Sequence, residues 1–140
     1  MDAPTDSLRE IRSINETAAF NRWLRLEVLS AGNGQAEIAL AWRPELGQYA
    51  GYLHAALIGG LVDTACGFAA ATIAGRVLAS HYAVNCLRPA VGERFVARAR
   101  VVKPGKTQVF TACELFAVSG GEEKLVATGE TLLTPVATGP

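Results

Sequence analysis

Apolar and polar positions change their period several times along the chain, and each change marks an element. Between residues 6 and 20, Leu8, Ile11, Ile14, Ala18 and Ala19 recur at near-helical spacing behind Asp6 and Ser7, either of which can cap. This predicts a short amphipathic helix within a lead-in segment over residues 1–20. Residues 24–30 and 35–42 then read as two strands joined at Asn33-Gly34, a pair that accepts the positive φ angles of a tight hairpin. In the second strand Ala36, Ile38, Leu40 and Trp42 alternate with Gln35 and Glu37, which implies one buried face. From Ala55 to Ala74 alternation stops, and the run is apolar all round with Asp63 as its only charge, the pattern of a buried helix. Strand patterning resumes over residues 80–88, 94–103, 106–118 and 124–134. Phe95, Ala97, Ala99 and Val101 oppose Arg94, Arg98 and Arg100, while Leu125, Ala127, Thr131 and Leu133 oppose Lys124, Thr128 and Glu130. Pro104-Gly105 suits a type II turn and Gly120-Gly121 another tight turn.

The order is two strands, a long apolar helix, then four strands. One antiparallel sheet curled around the helix satisfies it, because little else covers so much of a helix's circumference. The fold class is therefore α+β, with residues 1–140 as one domain and residues 55–74 as its central helix. The helix is also long enough to span a bilayer. An aspartate near its middle costs about 3 kcal/mol to insert, and its flanks pattern as globular strands, so no membrane association is expected.

Composition adds three points. A chain of 140 residues and 14.7 kDa buries roughly two-thirds of its unfolded surface and needs no staple. Half of the residues are apolar and 14 glycines come on top, a surplus that points to burial between copies of the chain. Thirteen basic side chains balance thirteen acidic ones, which leaves no broad basic surface for nucleic acid. The N-terminal Met-Asp-Ala-Pro-Thr-Asp-Ser carries no apolar segment of a secretory signal, so a cytoplasmic location is expected. Cys66, Cys86 and Cys113 lack Cys-x-x-Cys spacing and are expected as buried thiols. With His54 and His81 the only histidines, a His-rich metal site is excluded and no metal or cofactor is expected.

No nucleophile elbow, P-loop, complete dinucleotide fingerprint or His-Glu-x-x-His motif is present. The informative stretch is Gln48-Tyr-Ala-Gly-Tyr-Leu-His54-Ala55-Ala56, which leads into the helix that contains Asp63. Gln48 and His54 cluster just ahead of a helix start whose first N–H groups lack intrahelical acceptors at the positive end of the dipole. Such a terminus suits a carbonyl that becomes an oxyanion. Asp63 is the opposite anomaly, a carboxylate costly to bury unless it is paired or used. An apolar pocket would raise its pKa and strengthen it as a base.

Residues 48–67, together with Asn85-Cys-Leu-Arg-Pro-Ala and Val102-Lys-Pro-Gly-Lys-Thr, resemble the hot-dog fold acyl-CoA thioesterases of the phenylacetate-degradation and 4-hydroxybenzoyl-CoA thioesterase group, over roughly residues 20–135. The resemblance implies that Gln48 and His54 attend the thioester, that the Ala55 N–H polarises its carbonyl, and that Asp63 is nucleophile or general base. It departs at Ala55-Ala56, where the family usually has Gly-Gly, and at Gly67, where some members hold water with Ser or Thr. The substrate would be a medium-chain or aromatic acyl-CoA, with coenzyme A as part of the substrate rather than a cofactor. Its phosphates call for basic residues, with Arg88 and the Lys103-Pro104-Gly105-Lys106 turn as candidates, and Phe68, Tyr82 and Phe110 as candidates for acyl contact. A non-catalytic acyl-CoA binding module, with Asp63 structural, is the alternative. A hot-dog enoyl-CoA hydratase ranks third, since His54 and Asp63 are the only pair for it.

Ala55 and Asp63 are eight residues apart, about 12 Å along one helix axis. One thioester carbon cannot lie near both. If both act, the oxyanion donor and the carboxylate come from different copies of the helix across a twofold axis. A homodimer with composite sites is expected, and the resembling family makes a dimer of dimers common.

Overall fold

Asn33 and Gly34 take φ values of 54° and 75°, the left-handed pair that a two-residue hairpin needs, and they join β1 (Glu27–Gly32) to β2 (Gln35–Ala41) with Gly32 opposite Gln35. The computed structural model describes residues 4–137. After β2 come two single 3₁₀ turns, Pro44–Leu46 and Tyr49–Gly51, and then the central helix α3 (Ala55–Ala74). Four strands follow: β3 (Val77–Cys86), β4 (Arg94–Lys103), β5 (Val109–Ser119) and β6 (Glu122–Pro135). All pairings are antiparallel, and the six-stranded sheet runs β1-β2-β4-β5-β6-β3.

The sheet packs one face on α3. Leu57, Ile58, Leu61, Val62, Ala65, Cys66, Ala69 and Ala70 are buried against Ile38, Leu40, Phe95, Ala97, Leu115, Ala127 and Leu133. Although α3 has the length and mean hydropathy (1.6) of a membrane span, strands cover it as they cover a core helix. Backbone approaches it closely at Gly129, where a Cβ would lie 2.7 Å from Val62 Cγ1 and 2.9 Å from the Ala83 carbonyl. Its own sheet leaves one stripe of α3 open. Ala56, Gly60, Asp63, Thr64, Gly67 and Ala71 lie along it at helical spacing, none of them fully buried.

The lead-in segment departs from a single helix over residues 1–20. Residues 1–3 lie outside the described residues. α1 spans Asp6–Thr17 and is capped by Thr5, whose hydroxyl accepts from the Leu8 N–H, rather than by Asp6 or Ser7. At Ala18 the backbone turns extended, and a second short helix, α2 (Ala19–Leu24), follows and ends at the residue where the first strand was expected to begin, so β1 starts only at Glu27. Alternating Leu24, Leu26 and Val28 mimic a strand, but the Leu26 N–H bonds back to the Asn21 carbonyl and Arg25 takes a left-handed φ of 60°. Arg43 clasps this end by donating to the carbonyls of Trp23 and Leu24 while stacking over the Trp23 ring.

Other boundaries shift for readable reasons. β3 is the last strand of the sheet, paired only with β6 among the described residues, and most of its side chains are exposed. It carries no alternation to mark its start, three residues earlier than expected. β5 begins at Val109 rather than 106. In β6 a register shift opposite Leu115/Phe116 buries Val126 and leaves Leu125 half-exposed, so the alternation changes phase there. Gly120 and Gly121 take the left-handed values of a tight hairpin, with φ of 56° and 80°, but Gly105 does not, so Pro104-Gly105 is no type II turn.

Candidate active site

Two features of α3 face open space, and each rests on a different part of the chain. The first is its N-terminus. An isolated bridge between Gly47 and Leu53, a 2.7 Å bond from the Gln48 N–H to the Tyr52 carbonyl, and left-handed φ values at Ala50 and Gly51 fold residues 47–53 into a tight loop. His54 is anchored through its N–H to the Leu46 carbonyl and forms the N-cap of α3. Its Nδ1 accepts from the Ala56 N–H at 2.9 Å, which places the imidazole proton of that tautomer on Nε2. The His54 carbonyl takes the N–H groups of Leu57 and Ile58. Among the described residues nothing accepts from the Ala55 N–H. That donor sits at the positive end of α3 and lines a cavity of about 410 Å³. Gln48 lines the same cavity, its side-chain amide donating at 3.3 Å to the Leu53 carbonyl and keeping a second N–H free to donate.

The second feature is Asp63, two turns along the open stripe. It lines a separate cavity of about 260 Å³ with Thr64, Gly67 and Phe68 of α3. The opposite walls are Ile14, Thr17, Ala18 and Asn21 of the arm formed by α1 and α2, and Val77, Leu78, Ala79 and Leu133 of β3 and β6. No cation pairs with Asp63 among the described residues, and burial pushes its pKa above the ordinary 3.8. A carboxylate so placed is a stronger base than one in water. The two cavities have no lining residue in common.

The remaining sequence candidates divide between these places. Arg88 lines the cavity at the helix start, as does Cys86, which is exposed at the end of β3 and not buried as expected; Cys66 and Cys113 are buried. Phe68 lines the Asp63 cavity. Tyr82 lines neither and lies over the bare Gly59 backbone, where a Cβ would meet its ring at 3.3 Å. Phe110 also lines neither. Lys103, Gly105 and Lys106 are away from the helix start. The β1–β2 hairpin ties their end of β4 to the last turns of α3, through Val101 N–H to Gly34 O and Gly34 N–H to Thr72 Oγ1. The place of Gly105 has a packing cause, since a Cβ there would collide with the Gln108 carbonyl oxygen. The arm residues around Asp63 escaped sequence reasoning. Ile14 and Ala18 read only as apolar positions of the lead-in helix, Thr17 and Asn21 carried no signal, and only the tertiary fold brings the four to α3. Among the described residues no cluster of His, Cys, Asp and Glu is arranged to hold a metal.

Comparison with known proteins gives this geometry a family. The thioesterase superfamily model matches residues 50–124. A thioesterase family protein from Silicibacter pomeroyi shares 32% identity and superposes with a TM-score of 0.88, covering 91% of this chain and 96% of its own. The E. coli PaaI protein from the phenylacetic acid degradation operon superposes at 0.84 with 20% identity over 94% of each chain. Zebra fish thioesterase superfamily member 2 does so at 0.78 with 24% identity, covering 92% of this chain and 95% of its own. A search of curated proteins finds no significant match. The family match spans more than half of the chain and includes the whole of α3, and the antiparallel sheet around that helix is the hot-dog architecture of these structures; the chain belongs to the thioesterase superfamily and is a thioester hydrolase.

Proposed function

We propose that the protein hydrolyses a medium-chain or aromatic acyl-CoA to the free acid and coenzyme A, at sites shared between two protomers. The observation that carries this reading is the pair of openings on one helix, an unsatisfied N–H at its start and an unpaired carboxylate about 12 Å further along. Neither suffices alone, and a twofold axis that sets two α3 helices antiparallel puts the start of one beside the middle of the other. The unpaired edge of β3 supports such an axis, because an antiparallel edge is complementary to its own copy and Leu78 and Tyr82 stand exposed along it.

In this site the thioester carbonyl accepts from the Ala55 N–H and from the free amide proton of Gln48, donors that stabilise the oxyanion as it forms. His54 fixes the helix start and leaves Ala55 as the open donor. Asp63 takes a proton from water as the water oxygen attacks the carbonyl carbon. Collapse of the tetrahedral adduct breaks the C–S bond, and the departing thiolate recovers the proton. Arg88, beside the carbonyl-binding end, offers a charge for a phosphate of coenzyme A. Label found in the aspartate after a single turnover in heavy-oxygen water would establish the alternative route, direct attack by Asp63 to give a mixed anhydride, since label enters there only when water opens the anhydride at the aspartyl carbon.

The test is free-thiol release from a panel of phenylacetyl, hydroxybenzoyl and straight-chain acyl-CoA esters, run beside Asp63→Asn. Thiol release with a loss of at least about a hundredfold in a folded mutant is the expected result. Binding of esters with no turnover by the wild type would make the protein an acyl-CoA binding module instead.

A further inference from the structure

The wall that faces Asp63 comes from the arm, outside residues 50–124 that match the family. One residue there is out of keeping with its surroundings. Asn21 is only 8% exposed, yet its side-chain amide has no hydrogen-bond partner among the described residues. Its backbone carbonyl is held by the Leu26 N–H, so the helix end fixes where the side chain starts. Among the described residues the fully enclosed unpaired side-chain atoms are Asn15 Oδ1 and Thr131 Oγ1, so the Asn21 amide keeps access to the cavity that it lines and can bond a ligand there.

The other polar groups of the cavity narrow what that ligand is. Thr17 already donates its hydroxyl to the Ile14 carbonyl at 2.7 Å. One turn beyond Asp63 the helix offers only Gly67, where a Cβ would meet nothing within 4 Å. The helix thus leaves room beside the carboxylate, and Thr64 is the other polar side chain that it presents to the cavity. A buried water generally makes about three hydrogen bonds. A water held only by Asp63 is free to turn, whereas one with its two O–H groups on two fixed acceptors points a lone pair away from both.

We propose that the Asn21 side-chain amide positions the hydrolytic water, its Oδ1 accepting one O–H while Asp63 accepts the other. This rests on the reading of Asp63 as general base given above. The first O–H stays intact and serves only to orient the molecule. The second gives its proton to Asp63 as the oxygen lone pair forms the bond to carbon. Asn21 is a positioning residue supplied by the arm.

The experiment is steady-state thiol release by the full-length protein and three variants, with thermal melts alongside. Asn21→Ala lowers kcat by about 10- to 100-fold and leaves KM within about twofold. Gly67→Ser placed in the Asn21→Ala background restores most of kcat, because its hydroxyl enters open space one turn from Asp63. Asn21→Asp, nearly isosteric and the variant most certain to fold, moves the acid limb of the pH profile to higher pH, since a second carboxylate near Asp63 disfavours its ionisation. Unchanged kcat in Asn21→Ala, or an Asn21→Asp profile that overlays the wild type, overturns the proposal. So does a change of KM and acyl preference at constant kcat, which would put Asn21 against the acyl group. Failure of the wild type to hydrolyse any ester removes the acyl-CoA thioesterase reading itself, a result distinct from all of these.

Discussion

Asp63, as the proposed base, would link the chemistry of the protein to its stability, with burial as the common cause. Its folded-state pKa lies above the unfolded value, so the native chain binds that proton more tightly. Stability contributed by the protonated group is full below the ordinary value of 3.8 and is lost as pH rises through the raised one. Asp63→Asn is therefore expected to be more stable than the wild type at neutral pH, with the difference vanishing in acid. Urea midpoints across a pH series check this, and a mutant less stable at neutral pH would mean that the charge has a partner. The same carboxylate must be ionised to act, so kcat/KM should rise through an acid limb above the ordinary carboxylate range. Two glycines give a contrasting pair. Gly129→Ala pushes a methyl group into Val62 and the Ala83 carbonyl and should cost about 1–3 kcal/mol. Gly67→Ala enters open space within a helix and should instead stabilise by about 0.5–1 kcal/mol. Denaturant titration of the two variants separates the readings.

At the scale of elements, the start of α3 invites a substitution that removes one atom group and little else. Proline is well tolerated at the first position of a helix, whose N–H has no intrahelical partner. His54, with φ −64° and ψ 137°, already has the conformation that a following proline requires. Ala55→Pro should therefore keep the helix, as judged by circular dichroism and melting, while kcat falls by about 10²- to 10³-fold through loss of the oxyanion donor. Full activity in Ala55→Pro would transfer the oxyanion to Gln48 or to another donor. α3 was legible in the sequence because an unbroken apolar run of that length has few other uses, and Asn33-Gly34 was legible because its φ requirement is local. Gln48, His54 and Asp63 stood out as polar residues in apolar company. What stayed hidden depends on distant partners: α2 is held by Arg43, the phase change in β6 answers a bulge against β5, and Asn21 gains its meaning only beside a residue forty-two positions away. Lys103 and Lys106 sit toward the last turns of their own α3, which the sequence did not reveal, because charge alone does not say at which end of the sheet a turn lies.

At the scale of the whole molecule, the two openings on α3 make a stoichiometric demand. If each site takes its N–H from one protomer and its carboxylate from the other, two differently disabled chains must repair each other. Ala55→Pro homodimers lack the donor at both sites, and Asp63→Asn homodimers lack the base at both. A mixed dimer has one site with both defects and one with neither, because the intact Ala55 of one chain meets the intact Asp63 of the other. Random exchange between equal amounts makes about half of the dimers mixed, each with one working site, so about a quarter of wild-type activity should return. The measurement is thiol release after the two variants are unfolded together and refolded, set against each refolded alone. Two further changes give the control: Leu78→Lys and Tyr82→Lys put charges on the exposed β3 edge and should yield a monomer by sedimentation, with no recovery on mixing. If mixing restores nothing while the dimer persists, each site is built within one chain, and because about 12 Å of a single helix separates Ala55 from Asp63, the oxyanion donor that serves Asp63 is then a group other than the Ala55 N–H.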